Sequence, residues 1–203
     1  MPRQSGQIDL RKSEDILNAA AEAFAERGLD APMEEIARRA GVSKQTVYNH
    51  YGSKDELLRA LFDRRRELVM EPLDHSHDGE PLEQRLTAYV VRIVEAYLGV
   101  GQRSVLRAAI AAAATRPEIG AMVYDAGPRL GREKLAAFLA AEAASGRLAI
   151  DNAEEAADFL FGMAAGSVVL RVMLDAPVER RPAMIAARAA SCARRFLRAY
   201  APD

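Results

Sequence analysis

The stretch MEEIARRAGVSKQTVYNHYG, residues 33–52, decides the fold of this chain. Apolar or small residues recur through its first part at helical spacing until Gly41 interrupts the helix, and Ser43 is a residue type that caps the next one. Ala37 is small enough to let two helices cross closely, and Gly41 permits a sharp turn between them. The pattern predicts a helix-turn-helix with residues 44–50 as its second helix.

Hydrogen-bonding side chains occupy most of this second helix. Val47 and Tyr51 are expected to pack inward. Two core helices meeting at a glycine are a common alternative, but that alternative leaves the polar side chains unexplained. Such side chains can bind base edges or phosphates in the major groove of DNA. The polar residues are Lys44, Gln45, Thr46, Asn49 and His50.

The charge of the chain is unevenly distributed. The formal net charge is −1, which does not by itself suggest a nucleic-acid partner. Between residues 36 and 54, however, Arg38, Arg39, Lys44 and Lys54 occur without any acidic residue. Affinity for phosphates depends on the local field rather than on the total charge. A charge run is also typical of a solvated helix face, so it supports the motif without proving it.

Composition indicates a globular, helical protein. Half of the 203 residues are hydrophobic and 28% are charged. The single cysteine, Cys192, cannot form an internal disulfide, and no apolar run reaches the length of a signal peptide or a membrane span. We therefore expect a cytoplasmic protein with no membrane association.

Helical patterns cover nearly the whole chain, and no run alternates with period two. The Ser53–Glu56 stretch SKDE reads as a capping box that opens a long helix. We predict an all-α fold: an N-terminal three-helix helix-turn-helix domain and a larger C-terminal helical domain, about nine to ten helices in total. Helices are expected near 54–71, 81–99, 102–115, 117–125, 128–145, 153–174 and 179–200.

Residues 13–62 resemble the DNA-binding domain of the TetR family of transcriptional regulators. The family's Tyr-x-His and the following lysine occur here as Tyr48, His50 and Lys54. Many members cap the second helix with Thr or Ser where this chain has Ala31 and Pro32, so we expect Asp30 to cap it instead. The resemblance implies a DNA-binding domain at 10–55, a connecting helix at 56–74, and an effector-binding and dimerisation domain at 75–203.

The resemblance also implies roles for single residues, and the chemistry of each side chain agrees with its role. Lysine and glutamine can pair with guanine and adenine edges, and a helix N-terminus favours a phosphate. The partner would be double-stranded DNA with a palindromic operator. Base contacts are expected from Lys44, Gln45 and Asn49, and phosphate contacts from Thr46, Tyr48, His50 and Lys54.

The C-terminal part is similar to AefR-like members of the same family over residues 124–166. This similarity implies a homodimer and a small-molecule effector. The expected dimer face consists of two stripes, one on each of the last two predicted helices. Both stripes could instead be buried within one subunit. The residues are Gly162, Ala165, Gly166 and Val169 on the first helix and Ile185, Ala189, Cys192 and Phe196 on the second. Candidate pocket residues, each of which could equally be core, are Tyr89, Arg92, Tyr97, Arg107, Met122, Phe138 and Met163.

Motifs for catalysis are missing from the sequence: it has neither H-E-x-x-H nor G-x-x-x-x-G-K. We expect no enzyme, no cofactor and no metal, and we interpret His75, His77 and their neighbours Asp74 and Asp78 as an ordinary loop. The function expected is a sequence-specific DNA-binding regulator, a repressor released from its operator by a small molecule. The alternatives are a helical small-molecule-binding protein without specific DNA recognition and a TetR-type activator.

Overall fold

The computed structural model describes residues 5–77 and 79–202 of the chain. Throughout these residues the regular structure is helical and no strand forms, which confirms the predicted all-α class. Short 3₁₀ turns lie at Gly28–Asp30, Glu71–Leu73 and His75–His77, and a π-helical segment lies at Asp125–Arg129. The α-helices are α1 (Ser5–Arg27), α2 (Met33–Arg39), α3 (Lys44–Tyr51), α4 (Lys54–Met70), α5 (Leu82–Leu98), α6 (Val100–Ala113), α7 (Pro117–Tyr124), α8 (Leu130–Ala144), α9 (Ala153–Met173) and α10 (Pro182–Ala199).

The chain folds into two compact units whose boundaries differ from the expected domains. The first unit contains the chain up to Arg64 together with Val100–Ala126, and the second contains Arg65–Gly99 and the chain from Gly127 onward. The sequence predicts residues 100–126 within the C-terminal domain. The correction has a physical reason, because α6 and α7 complete the hydrophobic core of the helix-turn-helix unit.

The first unit has one core. Ile16 and Phe24 of α1, Ile36 of α2 and Val47 of α3 are each at most 1% exposed. α6 packs along α1, and α7 packs on α6. Their buried apolar residues belong to the same cluster as the helix-turn-helix residues, namely Val105, Ala109, Ile119 and Val123.

The second unit is built around α5. α10 and α9 pack against α5, and α8 packs against α9. The core is filled by Leu86 and Val90 of α5, Leu135 of α8, Leu160 of α9 and Phe196 of α10. Arg85, only 3% exposed, donates to the carbonyl oxygens of Pro72, Leu73 and Asp74 at 3.2, 2.7 and 3.0 Å. This arginine therefore fixes the end of the 3₁₀ turn to α5.

α4 contributes to both cores. Leu57, Leu58 and Leu61 are buried in the core of the first unit, and Met70 is buried in the core of the second. The division between the units falls after Arg64, within an unbroken helix.

Candidate nucleic-acid interface

The turn between α2 and α3 is formed as the sequence predicted. Gly41 has φ +66°, a left-handed conformation that glycine adopts without penalty. The Val42 amide donates to Ala37 O at 3.0 Å, and the Thr46 amide donates to the Ser43 side chain at 3.0 Å. Ser43 therefore caps α3, and the two helices form a helix-turn-helix.

Two inward-facing residues hold α3 against the rest of the unit. Val47 is fully buried. The Tyr51 hydroxyl lies 2.6 Å from Ser13 Oγ and donates to Ser13 O at 3.1 Å. The last turn of α3 is thus fastened to α1, and the prediction that Val47 and Tyr51 pack inward is confirmed.

The three candidate base contacts lie on the exposed face of α3. Lys44, Gln45 and Asn49 are all exposed. The Gln45 side-chain amide donates to Asn49 Oδ1 at 2.8 Å, which orients both amides one turn apart. Lys44 Nζ lies 5.7 Å from the centre of the Tyr48 ring. These contacts give α3 an ordered polar surface rather than a set of independent side chains.

Glu34 lies next to a candidate base contact, and the sequence does not predict it there. Its carboxylate forms an ion pair with Lys44 Nζ from the next helix. The hydrogen bond from Lys44 lowers the pKa of Glu34, and smaller contributions come from its own backbone and from the charges of Lys44 and Lys54. The same hydrogen bond raises the pKa of Lys44. The acidic spacing E-E-I-A-R-R in α2 was visible, but only the crossing of the helices brings Glu34 to Lys44.

The four candidate phosphate contacts are less uniform. The Thr46 hydroxyl lies 2.8 Å from Ser43 Oγ and so belongs to the cap of α3. Tyr48 is 37% exposed, whereas His50 is half-buried, with its ring centre 6.1 Å from that of Tyr51. Lys54 is the half-buried first residue of α4. All four belong to the same unit as the base-contact candidates, and their contacts with phosphate stay predictions.

One expected cap is only half formed, and another is not formed. The Ser53 hydroxyl accepts from the Glu56 amide at 3.1 Å, but the Ser53 amide donates to Tyr51 O at 2.6 Å rather than to Glu56. The capping box is therefore only half made. Asp30 lies 3.6 Å from Arg116, and no side chain caps α2, so the expectation for Asp30 is wrong.

Acidic side chains from other parts of the chain partly neutralise the basic residues between positions 36 and 54. Arg39 binds Glu26 at 2.5 Å and Glu35 at 2.6 Å, and these hydrogen bonds raise its pKa. Lys44 is paired with Glu34. Arg38, in contrast, is exposed and forms no ion pair within the described ranges 5–77 and 79–202. The charge free to meet a phosphate is thus smaller than the count along the chain suggests.

The candidate pocket residues are divided between the two units. Tyr89, Tyr97 and Phe138 belong to the core of the second unit. Arg92 is exposed and lies 4.0 Å from Glu71. Met163 is 38% exposed on α9, whereas Arg107 and Met122 belong to the first unit. The pocket stays a prediction.

The expected dimer residues are also divided. Ala165 of α9 is fully buried, and Val169 is half-buried. Gly162 and Gly166 lie on the exposed side of α9. Ile185, Ala189, Cys192 and Phe196 of α10 are buried in the core of their own subunit, which is the alternative left open for this helix. The reason is that α5 already covers the apolar side of α10.

α9 presents a second apolar face to solvent. Phe159, Met163 and Leu170 are 54%, 38% and 62% exposed. By length and composition alone α9 is apolar enough to cross a membrane. The core helix of a soluble protein meets the same criterion, and one side of α9 lies in the core of the second unit.

The loop after α4 contains a histidine bound by two carboxylates. His77 Nδ1 lies 2.8 Å from Glu80, and His77 Nε2 lies 3.0 Å from Glu71. The hydrogen bond with Glu80, followed by that with Glu71, raises the pKa of His77. Among the described residues no group of three or more potential ligands could hold a metal ion, and Asp78 lies outside those residues.

Known proteins resemble this chain in its N-terminal sequence and in its overall helical fold. The HTH-type transcriptional repressor KstR2 of Mycobacterium tuberculosis is 44% identical over 78 residues, 34% of this chain and 38% of KstR2. The matched region is thus less than two thirds of that relative. A putative TetR-family regulator from Mesorhizobium loti has a TM-score of 0.78 at 26% identity, over 95% of this chain and 98% of that chain. The flavonoid-responsive regulator FrrA has a TM-score of 0.68 at 26% identity, over 95% of this chain and 98% of that chain.

Family models extend the match along the chain. Residues 16–61 match the model of bacterial regulatory proteins of the tetR family. Residues 84–202 match the C-terminal domain of AefR-like transcriptional repressors. The chain therefore belongs to the TetR family of DNA-binding transcriptional regulators, with a C-terminal domain of the AefR-like type.

Proposed function

We propose that this regulator is a homodimeric repressor that binds a palindromic operator through α3 and leaves it when a small molecule binds the second unit. The observation that carries the proposal is the exposed Lys44, Gln45 and Asn49 face on a helix that Ser43 caps and Val47 anchors. A rigid helix with donors and acceptors on its outer face suits direct readout of the major groove.

Dimerisation is supported by the outer face of α9. Phe159, Met163 and Leu170 form an apolar strip, and added Cβ atoms at Gly162 and Gly166 would meet nothing within 4 Å in the subunit. Met184 of α10 adds a further apolar side chain, 47% exposed. Large exposed apolar strips mark protein interfaces, and small residues let two helices approach closely. Two copies of this face would form a symmetric contact and present two recognition helices to one palindrome.

Release by a small molecule is supported by the continuity of α4. The helix begins beside the recognition helix and ends in the core of the second unit. The similarity to the flavonoid-responsive FrrA over 95% of this chain also favours a ligand-responsive regulator. An effector that favours one position of α4 would change the distance between the recognition helices of the dimer. The proposal places the protein in the cytoplasm, where it meets DNA.

Footprinting tests the proposal. The purified protein, incubated with the DNA upstream of its own gene, should protect a palindromic site. Affinity for that site should fall steeply with salt, because binding releases condensed counterions. Absence of any protected site, with a flat salt response, would favour a helical small-molecule-binding protein without DNA recognition. Transcription in vitro from the protected promoter separates repression from activation.

A further inference from the structure

Arg38 of α2 differs from the charged side chains that surround it. An open groove beside α2 is lined by Arg27, Pro32, Glu34, Glu35 and Arg38. Arg27 pairs with Glu35 at 2.6 Å, and Glu34 pairs with Lys44. Arg38 is exposed and forms no ion pair within the part of the chain that the structure describes. Its guanidinium therefore lies in this groove without a carboxylate of its own.

The next residue, Arg39, has the opposite environment. It binds Glu26 of α1 at 2.5 Å and Glu35 of its own helix at 2.6 Å. These ion pairs join α2 to α1, so Arg39 serves the fold. Successive residues of a helix point about 100° apart, so the two arginines project in different directions. Arg39 reaches carboxylates of its own unit, whereas Arg38 projects into solvent.

The face of α2 that carries Arg38 also carries Glu34. Residues four apart lie on the same face of a helix, and both side chains are exposed and line the same groove. The Glu34 carboxylate reaches Lys44 Nζ at the start of α3. This face of α2 therefore borders the recognition helix, and Arg38 lies one turn of α2 away from the ion pair.

Docking of helix-turn-helix proteins gives this position a meaning. The second helix of the motif enters the major groove, and the first helix crosses the DNA backbone. The first helix here is α2, whose N-cap residue Pro32 has no side-chain donor. Of the two arginines in α2, Arg39 is already bound to carboxylates. Arg38 is thus the cation that α2 can offer to a phosphate, and the planar fork of a guanidinium matches phosphate oxygens well.

We propose that Arg38 binds a phosphate of the DNA backbone at the edge of the major groove that α3 enters. The inference rests on the proposed DNA binding and adds a contact from outside the recognition helix. It gives two residues on one face of α2 opposite effects, because Glu34 opposes phosphates and Arg38 attracts them. A surface arginine that is merely solvated would leave DNA binding unchanged.

The salt dependence of binding tests the charge of Arg38. Arg38→Gln should weaken binding to the operator and to random duplex DNA alike, by about three- to tenfold at low salt. The slope of log affinity against log salt should fall by about 1 for each bound subunit, whereas Arg38→Lys should keep the wild-type slope because its charge is retained. Arg198→Gln removes an exposed arginine from the second unit and is the matched control. A wild-type slope in Arg38→Gln would overturn the proposal.

Neutral backbone substitutions locate the phosphate. A methylphosphonate removes the charge of one phosphate and leaves the base sequence unchanged. Placed singly along the operator, it should weaken wild-type binding at the position that Arg38 contacts and have no further effect there on Arg38→Gln. Such coupling reports a direct contact, which a loss of stability or of overall charge does not produce. Equal sensitivity of the wild type and Arg38→Gln at every position would contradict the contact.

The same samples distinguish this inference from the proposed repressor function. Operator protection by the wild type, together with unchanged binding by Arg38→Gln, defeats the phosphate contact alone. Salt-dependent binding to random DNA that Arg38→Gln weakens, without any protected operator, defeats the repressor proposal and leaves the contact. A wild type that binds no DNA defeats both. Thermal melting should give the same Tm for wild type and Arg38→Gln, because Arg38 is exposed and unpaired.

Discussion

Lys44 of the recognition helix forms an ion pair with Glu34 of the preceding helix. A side chain predicted to contact a base is therefore held by a carboxylate of its own chain. In the proposed complex, Lys44 would have to leave this ion pair to bind DNA, and the negative charge of Glu34 would oppose nearby phosphates. We therefore expect Glu34 to lower the affinity for all DNA.

Glu34→Gln should strengthen DNA binding by about two- to tenfold, because the change frees Lys44 and removes a negative charge. The gain should be as large on random DNA as on the operator, so specificity does not improve. Fluorescence anisotropy at low salt measures the affinity for each DNA. Glu118→Gln removes the same charge from α7 of the same unit and serves as the control. Weaker binding by Glu34→Gln would show that the ion pair positions Lys44 for recognition.

Gln45→Ala and Lys54→Ala should weaken DNA binding in different ways. Loss of the Gln45 amide should cost roughly 1–3 kcal/mol on the operator and little on random DNA, since we propose that the amide contacts a base. Loss of Lys54 should weaken both alike and reduce the salt slope by about 1. Lys134→Ala, in the second unit, is the control. Equal losses from both variants on both DNAs would contradict the division into base and phosphate contacts.

Gly41→Ala should destabilise the protein by about 1–2 kcal/mol, because a left-handed conformation is unfavourable for alanine. No atom lies within 4 Å of the added Cβ, so strain alone is responsible. Gly41→Asn should cost less, since asparagine tolerates this conformation better. Gly101→Ala in α6 meets no atom either and has no positive φ, so it should be neutral or stabilising. Thermal melting measures all three, and a stable Gly41→Ala variant would show that the turn relaxes.

His77 should stabilise the folded protein at acidic pH and not at alkaline pH. Its folded pKa is raised above the ordinary value of 6.5 by Glu80 and Glu71. The contribution of His77 to the stability of the folded protein is therefore complete below the unfolded pKa. It is lost as pH rises through the folded pKa. His77→Gln should lower Tm at about pH 5.5 and leave it unchanged near pH 8.5. His75→Gln is the control, and an effect of His77→Gln that does not vary with pH would contradict the expectation.

Phe159→Asp and Leu170→Asp should dissociate the dimer, because each would bury a charge in the apolar contact. Operator affinity should then fall by roughly a hundredfold, since a monomer meets only one half-site. Analytical ultracentrifugation reports the oligomeric state. Leu68→Asp, at a side chain 62% exposed on α4, is the control. A dimer that persists in both α9 variants would place the interface elsewhere.

Recognition of the DNA-binding unit needed no tertiary information. Gly41 and Ser43 define the turn and the cap through local conformation, and Val47 marks the buried side of α3 through helical spacing. These effects act within a few residues, so the local sequence predicts them. The order of the remaining helices followed from the same periodicity and from the loops between them.

Tertiary structure decided what each apolar face covers. Periodicity predicts that α10 has an apolar stripe, but hydrophobic burial has no direction and does not name the partner. The stripe through Ile185 and Phe196 covers α5 rather than a second subunit, and α6 and α7 complete the core beside α1. The ion pair of Glu34 with Lys44 and the stacking of Arg65 on Tyr97 likewise join residues on different helices, which only packing brings together. The sequence alone determined a helix-turn-helix regulator, and the packing of its helices decided which side chains stay exposed.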